Sequence, residues 1–135
     1  MQKLFIALVV AAALGLVTVA AEKPPANYQQ AMKDLGAFSA GIDKAVMEED
    51  YETTARLGRS AKEAFDVTET FWKTRNPDAA KMAQTGSKAA TDLMITSGVK
   101  SQEGVAFAAM EAKAVCAGCH MAHRERLPDG TFEIK

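Results

Sequence analysis

Apolar and polar residues along this chain recur with the spacing of amphipathic helices. In four segments of about 20 residues, apolar or small side chains stand at alternating steps of three and four, which places them on one helical face. The predicted helices run from about Ala26 to Met47, from about Tyr51 to Lys73, from Pro77 to Gly98, and from Ser101 to about Arg126. Four such helices joined by short loops predict an all-α fold, an antiparallel four-helix bundle.

The positions expected to face the interior are rich in small side chains. They are Tyr28, Met32, Leu35, Ser39, Ile42 and Val46 in the first helix, Ala61, Phe65, Thr68 and Trp72 in the second, Ala79, Met82, Gly86, Ala90, Leu93 and Ser97 in the third, and Val105, Ala108, Ala112, Val115, Cys116 and Cys119 in the fourth. Because alanine and glycine fill little volume, the pattern is typical either of closely packed helices or of a bundle that encloses an apolar cofactor.

Polar and helix-breaking residues mark the ends of these segments. Glu48-Glu49-Asp50 interrupts the apolar pattern, and Asn76 precedes a proline at a first-turn position. Gly98 ends the third helix, as a C-terminal glycine often does. Pro128-Asp129-Gly130 is a turn signal, and no convincing strand pattern precedes it.

The N-terminus has the pattern of a secretory signal peptide. A short positive start precedes an almost wholly apolar run from Leu4 to Ala20, and Val19-Ala20-Ala21 offers small residues for cleavage. We predict a signal peptide over residues 1–21 and one domain over residues 22–135, because the remaining chain of about 115 residues has the size of one domain. The alternative is a retained membrane anchor, since the run is near the lower limit of about 17–25 residues for a span. No other segment stands out as transmembrane.

The charge balance does not indicate a strongly charged partner. The formal net charge is −1 and becomes −2 when Lys3 leaves with the leader. No basic patch is visible, so we expect no binding to nucleic acid.

Both cysteines of the chain and one of its two histidines form the pentapeptide Cys116-Ala117-Gly118-Cys119-His120. C-x-x-C-H is the attachment signature of a c-type haem. Two thiols three residues apart reach the two vinyl groups of one porphyrin and form thioethers, and the following histidine then ligates the iron. The sequence therefore predicts one covalent haem c, with redox or gas chemistry at its iron.

Three other interpretations of the cysteines are weaker. A thioredoxin motif stands beside a βαβ pattern, which the chain lacks. On one helix, the stripe from Cys116 to His123 is about 10 Å long. One zinc ion with bonds of about 2.0–2.3 Å cannot gather its four donors, so only a partial site with outside ligands remains open. A structural disulfide is the third alternative.

The leader and the motif agree with each other. Cytochrome c maturation takes place on the far side of the bacterial inner membrane, so export and the C-x-x-C-H motif fit together. We therefore expect the protein in the periplasm, and at a membrane only if the leader is retained.

A C-x-x-C-H motif on the last helix of an exported four-helix bundle resembles class II cytochrome c, the cytochrome c-prime family. The resemblance spans Tyr28 to Arg126. In the family, two residues, an aromatic residue and a basic residue follow the motif. Here His123 stands in place of the usual Tyr or Phe, and Arg124 matches the basic position. The chain continues from Leu127 to Lys135, further than many members do.

The resemblance also indicates a residue for the other side of the iron. In the family, a residue of the first helix approaches the sixth coordination position; it is apolar in high-spin members and methionine in low-spin members of the cytochrome c-556 type. The stretch from Gln30 to Gly36 is similar to Leu-Met-Lys-Asp-Asn-Gly of the low-spin group, which makes Met32 the expected sixth ligand. The alternative is a core methionine, since the chain has seven methionines.

Two more residues are candidates for contact with the haem propionates. High-spin members usually carry an arginine one turn before the sixth-position residue, where this chain has Tyr28, and this difference disfavours the high-spin type. Tyr28 is expected to hydrogen-bond a propionate or to pack. Arg124 is expected either to pair with a propionate or to complement the helix macrodipole as a solvated charge.

The expected function is electron transfer, without enzymatic activity, because the sequence suggests no base, nucleophile or substrate cleft. His/Met ligation keeps strong-field ligands in both oxidation states, and a thioether raises the potential. The expected partners are redox proteins that dock transiently; family members often dimerise through the first two helices, but no apolar stripe decides this here. If Met32 does not ligate, the alternative is a five-coordinate, high-spin haem that binds nitric oxide or carbon monoxide.

Overall fold

The computed structural model describes residues 23–135, in which four helices are followed by a short hairpin of two strands. The helices are α1 (Ala26–Met47), α2 (Tyr51–Trp72), α3 (Pro77–Gly98) and α4 (Gln102–His123), and the strands are β1 (Arg124–Arg126) and β2 (Phe132–Ile134). The expected bundle of four packed helices is confirmed. The predicted signal peptide lies outside the described residues.

Contacts between helix ends show that α2 and α4 both run in the direction opposite to α1. Trp72, at the end of α2, donates from Nε1 to the hydroxyl of Tyr28 near the start of α1, at 3.2 Å. Gln102, which begins α4, donates from Nε2 to the carbonyl of Val46 near the end of α1, at 2.8 Å. Each helix packs against the next, and α4 returns to α1. However, α1 and α4 contact each other less extensively than the other neighbouring pairs.

Polar side chains begin three of the four helices. Asp50 accepts a hydrogen bond from the backbone N–H of Thr53 at 3.0 Å. Asn76 accepts from the N–H groups of residues 78 and 79, at 3.0 and 3.1 Å, and Ser101 caps α4 in the same way. These bonds satisfy donors that the first turn of a helix leaves free, which is why helices start at these residues.

The core takes in most of the expected positions. Its largest fully buried side chains are Phe38, Phe65, Ile42, Leu93, Val105 and Thr54. In α1, the buried face also includes Ala31, Phe38 and Ala45, whereas the expected Met32 and Ser39 are half-buried. This shift has a structural reason, because Met32 and Ser39 border a cavity.

The C-terminal end differs from the prediction. α4 ends at His123 instead of continuing to about Arg126, because Arg124 takes an extended backbone conformation with φ −125° and ψ 133°. Residues 124–126 pair in antiparallel fashion with residues 132–134, and the turn between them holds Gly130 at φ 86°. The apolar pattern did not indicate these strands because three residues are too few for an alternation to be visible.

By length and composition alone, α4 is also the one helix within residues 23–135 that could cross a membrane, with a mean hydropathy of 1.2 in its most apolar window. The sequence interpretation did not single it out. α4 packs against α3 and buries Val105, Ala108, Ala109 and Ala112 within this bundle, which makes 22% of that window buried. We therefore describe α4 as a bundle helix.

Candidate cofactor site

A cavity of about 580 Å³ lies at the end of the bundle where α1 begins and α4 ends. It is lined by Pro24, Tyr28, Gln29, Met32, Lys33, Leu35, Gly36 and Ser39 at α1, Phe65 and Thr68 of α2, Ala83 of α3, Val115, Cys116, Cys119, His120 and His123 of α4, and Arg124, Phe132, Glu133 and Ile134 of the hairpin. Its walls are mostly apolar, and its volume lies in the range of about 300–1,000 Å³ that is usual for ligand and cofactor pockets. All six residues predicted for the site border this cavity.

The C-x-x-C-H residues line the cavity from the last turns of α4. Cys116, Cys119 and His120 stand at positions i, i+3 and i+4, so the helical repeat places them on one face. Both thiols are free and half-buried. A Cβ atom on Gly118 would lie 3.0 Å from Cε of Met82. The glycine inside the motif therefore lets α4 approach α3 closely beside the two thiols.

Burial changes the acid–base properties of these groups. Desolvation raises the pKa of both thiols; a hydrogen bond with Ser39 partly opposes this at Cys116, and the neighbouring Cys116 adds to it at Cys119. Desolvation lowers the pKa of His120, and the positive charge of Arg124 lowers it further. The site therefore favours a neutral imidazole, which is the form that ligates a metal.

The two histidines at the cavity have different surroundings. The ring of His123 lies against the indole of Trp72, with a centroid distance of 5.2 Å. Within residues 23–135, the ring of His120 has neither an aromatic partner nor a hydrogen bond. His123 is therefore held as part of an aromatic wall, and His120 is the histidine that is available to a ligand.

Met32 lines the same cavity from α1. Its half-buried side chain packs against both hydrophobic clusters of the bundle. One turn further on, a Cβ atom on Gly36 would meet no atom within 4 Å, so this wall leaves open space beside Met32. Among residues 23–135, Met32 is the one methionine that lines the cavity. The fold thus brings a thioether from α1 and an imidazole from α4 to one space.

Tyr28 is buried at the edge of the cavity, within an aromatic cluster. Its ring centroid lies 4.3 Å from that of Phe71, and its hydroxyl accepts the hydrogen bond from Trp72. Burial raises the pKa of Tyr28, so the phenol stays protonated and keeps a proton to donate. Packing is therefore an observed role of Tyr28, and its contact with a propionate stays a prediction.

Arg124 borders the cavity from strand β1 and not from a continued α4. Its guanidinium lies over the ring of Phe132, 3.9 Å from the centroid, so its pairing with a propionate stays a prediction. Sequence reasoning missed two charged residues that also border the cavity, Lys33 and Glu133. Lys33 directly follows Met32 and could have been found from that neighbour. Glu133 could not, because its place depends on the hairpin.

The donor set fits a metal that brings ligands of its own. In the described part of the chain, no group of three or more His, Cys, Asp or Glu side chains could hold a metal ion. Haem needs fewer protein donors because the porphyrin supplies four nitrogens, and a histidine with a methionine is the axial pair of cytochromes c. Two thiols on one helical face and an available imidazole are the groups that a covalent haem requires, and the thioether of Met32 offers a second donor.

Comparison of the chain with family models, with curated proteins and with solved structures found no match. The interpretation of this site therefore depends on its own residues and their arrangement.

Proposed function

We propose that this protein is a periplasmic electron carrier of the class II cytochrome c type. In this proposal, one haem c is joined to Cys116 and Cys119, and its iron is ligated by His120 and Met32. The observation that supports it most is the cavity itself. The motif on α4 and the methionine on α1 are far apart in the sequence, and both line one apolar space of suitable volume.

Each residue of the site has a part that follows from its position. Cys116 and Cys119 attach the group to one face of α4, and His120 follows on the same face. Met32 belongs to a second helix, so two regular elements would hold the iron through His120 and Met32. When bound, haem c supplies an iron that accepts and releases one electron. Helices that keep both donors in place limit the rearrangement that accompanies this change, and the thioether raises the potential.

A carrier needs only its cofactor and a docking surface, so we propose no enzymatic step. Apolar side chains such as Leu35, Phe65 and Val115 line the cavity. Such a hydrophobic shell controls the dielectric around a metal and therefore its redox potential. The proposed partners are redox proteins that bind through small, transient interfaces. Location in the periplasm and removal of the leader belong to the same proposal, because thioether formation takes place outside the bacterial inner membrane.

The covalent cofactor is tested with the full-length chain, leader included, produced in a bacterium that matures c-type cytochromes. We expect the purified protein to keep its haem after denaturation and extraction with acidic organic solvent, and mass spectrometry to show one haem on a chain without its leader. The variant Cys119→Ala should keep at most one thioether. Complete passage of the haem into the solvent would contradict covalent attachment.

The sixth ligand is tested with Met32→Leu, and Met110→Leu on the exposed face of α4 is the matched control. Leu and Met are close in volume, so the substitution should cost less than about 1.5 kcal/mol of stability. We expect Met32→Leu to become high-spin, to lose the sulfur-to-iron charge-transfer band and to bind carbon monoxide when reduced. The control should keep the low-spin spectrum. If the unmodified protein is already high-spin, the electron-carrier proposal is wrong and the gas-binding alternative takes its place.

A further inference from the structure

The C-terminal hairpin, residues 124–135, borders the cofactor cavity although it lies beyond the motif and the bundle. Phe132, Glu133 and Ile134 of β2 all line the cavity. Apart from the predicted pairing of Arg124 with a propionate, the electron-carrier proposal assigns no role to this segment, and the sequence pattern did not indicate its strands.

The hairpin has little stability of its own. Its strands contain three residues each, and an isolated hairpin of two strands is marginal in water. The register places Glu125 directly opposite Glu133, and like charges directly opposite each other destabilise a strand pair. Contacts with the bundle therefore have to hold the segment where it is.

Two contacts attach the hairpin to the bundle, and a third joins its two strands to each other. Ile134 is half-buried and packs against the cluster of Tyr28, Phe71, Trp72 and Ala79. The backbone N–H of the last residue donates to the carbonyl of residue 123, at 3.1 Å, which ties the end of the chain to the end of α4. The guanidinium that covers Phe132 adds a cation–π contact across the two strands. Of these, the contact of Ile134 joins the hairpin to the interior of the bundle.

We propose that the hairpin is a wall of the cofactor site and that this wall keeps water and small solutes out of the cavity. The contact of Ile134 with the bundle holds the hairpin in this position. The proposal rests on the proposed function insofar as the enclosed group is haem c. Closure of the cavity can nevertheless be measured whether or not haem is present. Ile134 is a positioning residue in this proposal, since it acts through the hairpin and not on the iron.

The test compares Ile134→Ala, and a chain that ends at Leu127, with the unmodified protein. The control is Ile95→Ala, which makes the same change on an exposed position of α3. The first readout is the rate at which ferricyanide takes one electron from the reduced haem and becomes ferrocyanide. The second is hydrogen exchange of the backbone amides over residues 115–123. Circular dichroism checks that the helix content is unchanged.

We expect both hairpin variants to speed up oxidation and exchange about tenfold, since loss of a packing contact raises the population of locally open states. The control should leave both rates unchanged. Unchanged rates of oxidation and exchange in Ile134→Ala would overturn the proposal. If the shortened chain does not fold, the result of Ile134→Ala alone decides the test.

A purified protein without haem would refute the proposed function and leave the wall to be judged on its own. In that case, alkylation of Cys116 and Cys119 by iodoacetamide replaces the oxidation rate. Faster alkylation in Ile134→Ala than in Ile95→Ala would support the wall, and equal rates would refute it.

Discussion

Among the glycines of residues 23–135, Gly86 is the one where an added Cβ atom would come closest to a neighbour, so adding one methyl group there should destabilise the protein. Gly86 lies on the buried face of α3, opposite Phe65 of α2, which is only 2% exposed. A Cβ atom on Gly86 would stand 2.6 Å from Cδ1 and Cζ of the Phe65 ring, and closer still to Cε1. Ordinary contacts begin at 3.4 Å, so the ring would have to retreat by about 0.8 Å or more.

Two opposing effects determine the stability of Gly86→Ala. Alanine is better than glycine in a helix interior by about 1 kcal/mol. Overpacking a core costs about 1–3 kcal/mol. We take the upper part of that range, about 2–3 kcal/mol, because the obstacle is a rigid, buried ring and not the end of a flexible chain. The expected net loss is then about 1–2 kcal/mol, or about 4–8 °C in Tm for a domain of this size.

The matched control is Gly41→Ala, in the interior of α1. A Cβ atom there would meet Leu57 at 3.5 Å, an ordinary contact, so the gain in helix propensity should remain and raise Tm by about 4 °C. Thermal unfolding followed by circular dichroism, on samples with equal cofactor content, measures both shifts. If Gly86→Ala melts at or above the unmodified protein, the argument from close packing is wrong.

Two further predictions concern the motif and a helix cap. His120→Ala should accumulate little protein with attached haem while His123→Ala keeps it, because His123 is engaged with Trp72; equal haem per polypeptide, measured by absorbance, would contradict this assignment. The hydrogen bond from Thr53 lowers the pKa of Asp50, so its stabilisation is present above the ordinary pKa of 3.8 and disappears as the pH falls through the lowered native value. Asp50→Asn keeps an acceptor that does not titrate and should lose less stability between about pH 6 and about pH 3 in urea unfolding; an equal loss would refute the argument.

The helices could be predicted because their signals are local. Asn76 followed by Pro77 contains both the cap and the first turn of α3, and the structure starts the helix there. Likewise, Asp50 ends the break after α1 and caps α2. In both cases the residues that decide the conformation are neighbours in the sequence. The interactions that start these helices are therefore visible in the sequence itself.

The hairpin and the rotated face of α1 could not be predicted because they depend on distant residues. Strand β2 is placed by the contact of Ile134 with a cluster from α1, α2 and α3, which no local pattern contains. Similarly, periodicity predicted Met32, and not Phe38, on the inward face of α1. Only the positions of the other helices decide that Phe38 enters the core and Met32 borders the cavity.

The candidate site likewise has one part that the sequence predicts and one part that depends on distant residues. Cys116, Cys119 and His120 share little more than one helical turn, so their spacing alone was enough to propose a haem. The role of the small residues was not decided by the sequence, because close packing and an enclosed cofactor require the same side chains. In the structure, Gly86 lies tightly against Phe65, whereas Gly36 faces open space in the cavity. This difference follows from the helix pairs, since α2 and α3 contact each other extensively and α1 and α4 do so much less. The space that a haem would need therefore depends on how the helices are arranged. A sequence motif shows which chemical groups are present, but it does not show that space.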